Sequence, residues 1–285
     1  MARPPVPVAS GGAAPPALPL SDIPKLRTGE AAFRPPRLIV NAVEGWGKTT
    51  LGAYAPRPAL LMAPQETGYE TLLGVGLVPV IDRAAIPDWP GLLNMADWLK
   101  DGQHETIVLD AMSGMERLCH EHVCQRDFGG DWGEHGFSSY QKGYDVAVAD
   151  WLHLVARLDI LNQKGKAIVI LSHCRIKTFK NPLGPDYDRY SFDVHDKTWS
   201  VTAKWADAIL FGTFKTVLEK DKSGKMKPKG GDTRILRTTR SDAFDAKNRY
   251  GMKAELEMPN DHTQMWSTLW ANLAARKDVA DAAAQ

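Results

Sequence analysis

The sequence predicts an α/β fold, a mainly parallel sheet flanked by helices with antiparallel strands at its edge. Three observations carry that expectation. A short apolar run, Arg37-Leu38-Ile39-Val40-Asn41, leads at once into Gly47-Lys48-Thr49-Thr50. Thr106-Ile107-Val108-Leu109-Asp110 is an apolar strand that ends on an acidic residue. Between and beyond these, strand-like runs alternate with helix-like segments, the order a parallel sheet requires because parallel neighbours need a crossover.

Residues 1–36 are rich in Pro, Ala and Gly, with too little apolar surface to offset the entropy of ordering, so a disordered tail is expected there. A single domain is expected over 37–277, with 278–285 a frayed end. Within it Arg37–Asn41, Ala59–Ala63, Glu105–Asp110 and Ala167–Ser172 read as buried strands. Gly91–Lys100, Met112–Arg126, Gln141–Lys164 and His262–Arg276 read as helices. Ala208–Phe211 and Thr233–Thr239 read as further strands, able to pair antiparallel at the sheet edge around a Lys- and Gly-rich tip at Glu219–Gly231.

The 285 residues, 44% hydrophobic and 24% charged, suffice for a full α/β core. A formal charge of +1 points to neither nucleic acid nor membrane, so any basic site must be local. Three cysteines are too few for a disulfide framework, and no apolar run approaches the roughly 20 residues of a membrane span. A soluble, cytoplasmic protein is the expectation.

Ala42-Val43-Glu44-Gly45-Trp46-Gly47-Lys48-Thr49 follows the pattern G-x-x-x-x-G-K-[ST] with alanine at the first glycine. Small residues let successive N–H groups wrap phosphates, lysine meets the β/γ charge and the hydroxyl reaches magnesium. Glu44, Gly45, Trp46, Gly47, Lys48, Thr49 and Thr50 are therefore the expected ATP site, and Ala42 puts the first turn in question because alanine tolerates positive φ poorly. Asp110 fits a Walker B carboxylate, holding Mg2+ together with Thr49.

No carboxylate follows Asp110 directly, so a residue that activates water must come from elsewhere. Glu66, just past the second strand, is the candidate, with Glu70 one helical turn on as the alternative. His173 ends a strand on the same sheet edge, where it either meets the γ-phosphate or caps the strand. Cys119-His120-Glu121-His122-Val123-Cys124 carries possible zinc ligands, but on one helix they fall on different sides, and core cysteines are the preferred reading.

Glu44 and Gly47-Lys48-Thr49-Thr50-Leu51 resemble the phosphate loop of RecA-like recombinases. Ala246-Lys247-Asn248-Arg249 resembles the K-x-R finger of DnaB-type helicases. The order of loop, glutamate after the second strand, Asp110, His173 and K-x-R resembles phage-encoded RecA-like ATPases of the single-strand annealing or recombination type, over roughly residues 37–259. That resemblance implies a RecA-like core, a homo-oligomer (ring or filament) with nucleotide between subunits, and Lys247 and Arg249 reaching a neighbour's γ-phosphate. A cation delivered in trans would neutralise charge that develops in phosphoryl transfer.

Arg175, Lys177, Phe179, Lys180, Tyr187, Arg189 and Tyr190 interleave cations and rings in what reads as a loop after His173, a mixture suited to single-stranded DNA. The resemblance assigns DNA to this region, while Asp186, Asp188 and Asp193 leave an ordinary mobile loop open. Lys220, Lys222, Lys225, Lys227 and Lys229 form a second basic cluster that either meets phosphates or is solvated. The aromatic stretch from Phe128 to Tyr140 carries no assignment. The leading expectation is an ATPase acting on single-stranded DNA; the rivals are a small-molecule or nucleotide kinase and an assembly adaptor that binds nucleotide without turnover.

Overall fold

The computed structural model describes residues 34–220 and 226–273, all within one compact unit that begins at Arg34. Residues 1–33 of the expected tail, the expected frayed end and the side chains of the lysine cluster at 220–229 lie outside the described residues.

The strands, in chain order, are β1 (Arg37–Ala42), β2 (Pro58–Met62), β3 (Asp82–Ala85), β4 (Thr106–Asp110), β5 (Ala167–Phe179), β6 (Tyr187–Phe192), β7 (Ala208–Lys220), β8 (Met226–Arg237), β9 (Lys247–Asn248) and β10 (Glu255–Met258). Their spatial order is β10-β8-β7-β1-β5-β4-β2-β3, with β6 paired to β5 and β9 to β7. From β7 to β3 every neighbour runs parallel. The pairs β7–β8, β8–β10, β5–β6 and β7–β9 are antiparallel. The fold is thus an α/β sheet, mostly parallel and flanked by helices, with antiparallel edge strands.

Both faces of the parallel strands are covered, which explains why β1, β2 and β4 read as continuous apolar runs. One face packs Ile39, Leu61, Ile107, Leu109, Ile168 and Ile170 against α3 (Trp89–Trp98), α4 (Met112–Phe128), α5 (Lys142–Gln163) and α6 (Asp196–Trp205). The other packs Leu38, Val40, Leu60, Val108, Val169 and Leu171 against α1 (Lys48–Ala53), α2 (Gly68–Gly74) and a helix at 265–273. Successive strand residues alternate between the two clusters, as the pleat dictates.

Several elements differ from the sequence reading. The stretch read as a loop after His173 is a hairpin: β5 continues to Phe179 and pairs with β6 from Cys174↔Phe192 to Phe179↔Tyr187. Its Thr, Tyr and Phe content suits a strand, but interleaved charges hide the apolar alternation. β3 is too polar and short to stand out, and α6 begins only where the His195 imidazole accepts from the Lys197 N–H. α4 is continuous through Cys119 and Cys124, and the Cys119 thiol donates to the Ala147 carbonyl. Among the described residues no helix is long and apolar enough to cross a membrane.

At the carboxyl end of β1 the fold leaves no room on β7. The Trp46 side chain is fully buried, its indole N–H donating to the Ile235 carbonyl at 3.2 Å. A Cβ on Gly212 would lie 2.6 Å from that indole and 2.7 Å from Ala42 Cβ. Gly212→Ala is expected to destabilise the protein by about 1–3 kcal/mol through overpacking, read as a shifted midpoint in urea at unchanged m; wild-type stability would show that the loop moves freely over β7.

Candidate functional site

The phosphate loop links β1 to α1. Ala42 stays in the strand, paired with His173 on β5 and Gly212 on β7, so alanine at this position carries no strain. The left-handed turns fall instead on Gly45, φ 73°, and Gly47, φ 104°, where an absent side chain is required. Gly47 caps α1 with its carbonyl accepting from the Leu51 N–H.

A cleft of about 380 Å3 opens above the loop, lined by Glu44, Gly45, Gly47, Lys48, Thr49, Thr50, Glu66, Asp110 and His173 among others. Lys48 is buried, and its ammonium donates to the Ala42 carbonyl at 2.9 Å. Burial pushes its pKa below the ordinary lysine value, with nearby Cys174, Asp110, Glu66 and Glu44 opposing. Among the described residues the hydrogen bond of that ammonium goes to a carbonyl, which leaves N–H groups for an anion such as a phosphate.

Asp110, at the end of β4, accepts a hydrogen bond from the Thr49 hydroxyl at 2.7 Å. Burial pushes its carboxyl above the usual range, and the Thr49 hydroxyl opposes that shift. A hydroxyl and a carboxylate side by side are hard oxygen donors that fit Mg2+, which usually takes one or two protein oxygens and shares the rest with water and phosphate. When bound there, the ion would neutralise charge on the β- and γ-oxygens.

Glu66 and His173 meet across the cleft, Nε2 of the imidazole 3.2 Å from Oε1. An ionised carboxylate only accepts, so Nε2 is the donor. Glu66 is delivered by a turn in which Gln65 holds φ 73°, a conformation that costs a non-glycine residue about 1 kcal/mol or more. Glu70, the alternative, lies on α2 and instead accepts from Arg83 at 2.6 Å. Glu66 also lines a second, polar cleft of about 540 Å3 with Gln65, Ser113 and Arg117, which Lys48 does not reach.

Other expected site residues stand elsewhere. Trp46 contributes its backbone to the loop, while its side chain is a core anchor rather than a nucleotide contact. Lys247 and Arg249 lie beside the start of β7, at the opposite end of the parallel strands from the loop. The Lys247 ammonium donates to the carbonyls of Ala203, Lys204 and Ala206 at the end of α6, which engages all three N–H groups. The sequence reading has Lys247 reaching a neighbour's γ-phosphate; within this chain its ammonium is engaged at the end of α6. Arg249 donates to Asp207 at 3.2 Å and keeps half its side chain exposed.

The hairpin corrects two residues of the expected DNA surface. Arg189 is buried, paired with Asp245 at 2.6 Å and stacked over Phe179, and Tyr190 packs on the Phe211 ring. Arg175, Lys177 and Lys180 are exposed, each facing an acidic partner: Asp193, Asp196 and Asp186.

Two cleft residues carry no motif signal and escaped the sequence reading: Arg234 on β8 and His262, just before the helix at 265–273. Only the pairing of β8 with β7, and through it with β1, brings Arg234 to the loop.

A family model described as AAA domain matches residues 34–250 of the chain. No curated protein matches it.

The Glu66 carboxylate raises the pKa of His173 above the ordinary 6.5, with burial and Lys48 opposing. With the folded value raised, the pair stabilises the fold fully below about pH 6.5 and its contribution disappears as pH rises through the folded value. Glu66→Gln is expected to lower the His173 pKa, followed through its ring protons by NMR; an unchanged titration would mean the pair does not persist in solution.

Proposed function

The chain belongs to the AAA domain family, a P-loop NTPase-like domain, and from that premise we propose that it is an Mg2+-dependent ATPase that acts on single-stranded DNA as a homo-oligomer. The observation that carries the hydrolytic part is the convergence of Lys48, the Thr49–Asp110 contact and the Glu66–His173 pair in one cleft.

In this reading Lys48 and the N–H groups from Gly45 to Thr50 hold the phosphates, while Thr49 and Asp110 hold the ion. Glu66, oriented by His173, draws a proton from water as the water oxygen bonds to the γ-phosphorus. The bond from that phosphorus to the β–γ bridging oxygen breaks, leaving ADP and phosphate. Arg249 serves a neighbouring subunit: it lies too far along the sheet to reach its own loop, and it is half exposed.

The DNA part has separate support. β5 carries His173 in the cleft and Arg175 and Lys177 two and four residues further out, so one strand joins the cleft to two exposed cations. Ile176 and Leu183 are exposed on the same hairpin, apolar surface against which unstacked bases can lie. The lysines and arginine would exchange their aspartate partners for phosphate, and release of the counterions of DNA makes binding steeply salt-dependent. Action in phage recombination or replication rests on the resemblance in motif order.

Steady-state hydrolysis with and without single-stranded DNA tests this reading. Lys48→Ala is expected to abolish turnover. Arg249→Ala is expected to keep nucleotide affinity within about twofold and to lose on the order of 10^3 in kcat, the usual weight of an arginine supplied in trans. Mixing the two inactive variants should restore part of the activity, because some interfaces then combine Lys48 with Arg249. Loss of binding in Arg249→Ala would sink the trans role, DNA-insensitive phosphorylation of a metabolite would favour a kinase, and tight binding without turnover an adaptor.

A further inference from the structure

Arg234 belongs to none of the motifs that define the phosphate loop, yet it lines the same cleft. β8, its strand, lies two places from β1 on the side away from β4 and β2, so Arg234 and Glu66 flank the loop from opposite sides. Its position is well determined. Nε donates to the Trp46 carbonyl at 2.7 Å, and the guanidinium carbon sits 5.9 Å from the centre of the Phe214 ring, the cross-strand neighbour. A Cβ placed on Gly47 would come within 3.8 Å of Nε, which puts the side chain against the turn that must wrap the phosphates.

Among the described residues the charge of Arg234 has no acidic counterpart. No carboxylate among the described residues pairs with it, whereas two other cations of the same antiparallel edge are paired, Lys215 with Glu257 and Arg237 with Glu255. A guanidinium is a planar fork: one edge can hold a carbonyl while the other presents two N–H groups to an oxyanion. Lys48, a second cation, lines the same cleft, its ammonium donating to the Ala42 carbonyl.

Building on the reading of this cleft as a nucleotide site, we infer that Arg234 is a same-chain phosphate-binding residue. Nε holds the loop through the Trp46 carbonyl while the terminal nitrogens take an oxygen of the polyphosphate. The contact would link nucleotide occupancy to the β7–β8 hairpin, because Arg234 sits on the strand that forms it.

Calorimetric titration with ADP and with inorganic pyrophosphate separates this role from a structural one. Arg234→Gln keeps an N–H donor for the Trp46 carbonyl and removes the charge. Affinity for both ligands is expected to fall about tenfold to a hundredfold, the weight of a charge-assisted hydrogen bond, with an unchanged Tm. Arg234→Lys should fall between wild type and Arg234→Gln, and serves as the decisive variant if Arg234→Gln melts early. ADP binding by Arg234→Gln equal to wild type would overturn the inference, as would an Arg234→Lys no better than Arg234→Gln. A loss for ADP but not pyrophosphate would move the contact to base or ribose and overturn it too. Absence of ADP binding in the wild-type protein would overturn the nucleotide reading as a whole.

Discussion

Burial of Trp46 beneath the phosphate loop is the contact on which the site depends. A loop of glycines and exposed residues cannot hold its own shape, since glycine gives the backbone its largest conformational entropy. Here a large aromatic side chain from the middle of that loop is driven into the core, against Gly212 on β7 and the Ile235 carbonyl on β8. The Trp46 carbonyl in turn receives Arg234. Two neighbouring strands thereby register one loop, and the N–H groups around Gly47 are oriented before any ligand arrives, which lowers the entropic cost of binding.

Above that anchor, the cleft concentrates opposing charges in a dry setting. Lys48 and Asp110 are both buried, and burial shifts each towards its neutral form. Their contributions differ: Thr49 partly compensates Asp110, whereas Lys48 has a carbonyl and more distant anions. The whole arrangement sits at the carboxyl edge of the parallel strands, where β1, β2 and β4 end and β5 leaves its parallel pairing at His173. Phosphate ligands at such an edge gain from the N-terminus of α1 as well as from the side chains.

The opposite end of the sheet serves a different purpose. Arg37 bridges Asp207 and Asp159 and stacks on Trp205, Lys247 closes the end of α6, and Arg249 joins the same Asp207. Burial alone would raise the Asp207 carboxyl, yet its hydrogen bonds and charge pairing with Arg37 hold it below the usual range. In this network Lys247 caps the end of α6, while Arg249 keeps an exposed face.

Local chemistry was legible in the sequence. The apolar runs of β1, β2, β4 and β5, the GKT turn and the aspartate that ends β4 each follow from residue type and spacing, because strands covered on both faces must be apolar and a phosphate turn needs glycine and lysine. Glu66 and His173 are candidates for the cleft from their places in or just past apolar runs, with Glu70 and a capping role for His173 as open alternatives. What the tertiary structure decided is which distant residues share that space. Arg189 and Tyr190 look available in a basic, aromatic stretch, but strand pairing turns them towards Asp245 and Phe211. Arg234 looks like one more arginine, until the order of strands sets it beside Trp46. Periodicity reports which face of an element is buried; it cannot report which strand becomes its neighbour, because that choice is made by the packing of the whole sheet.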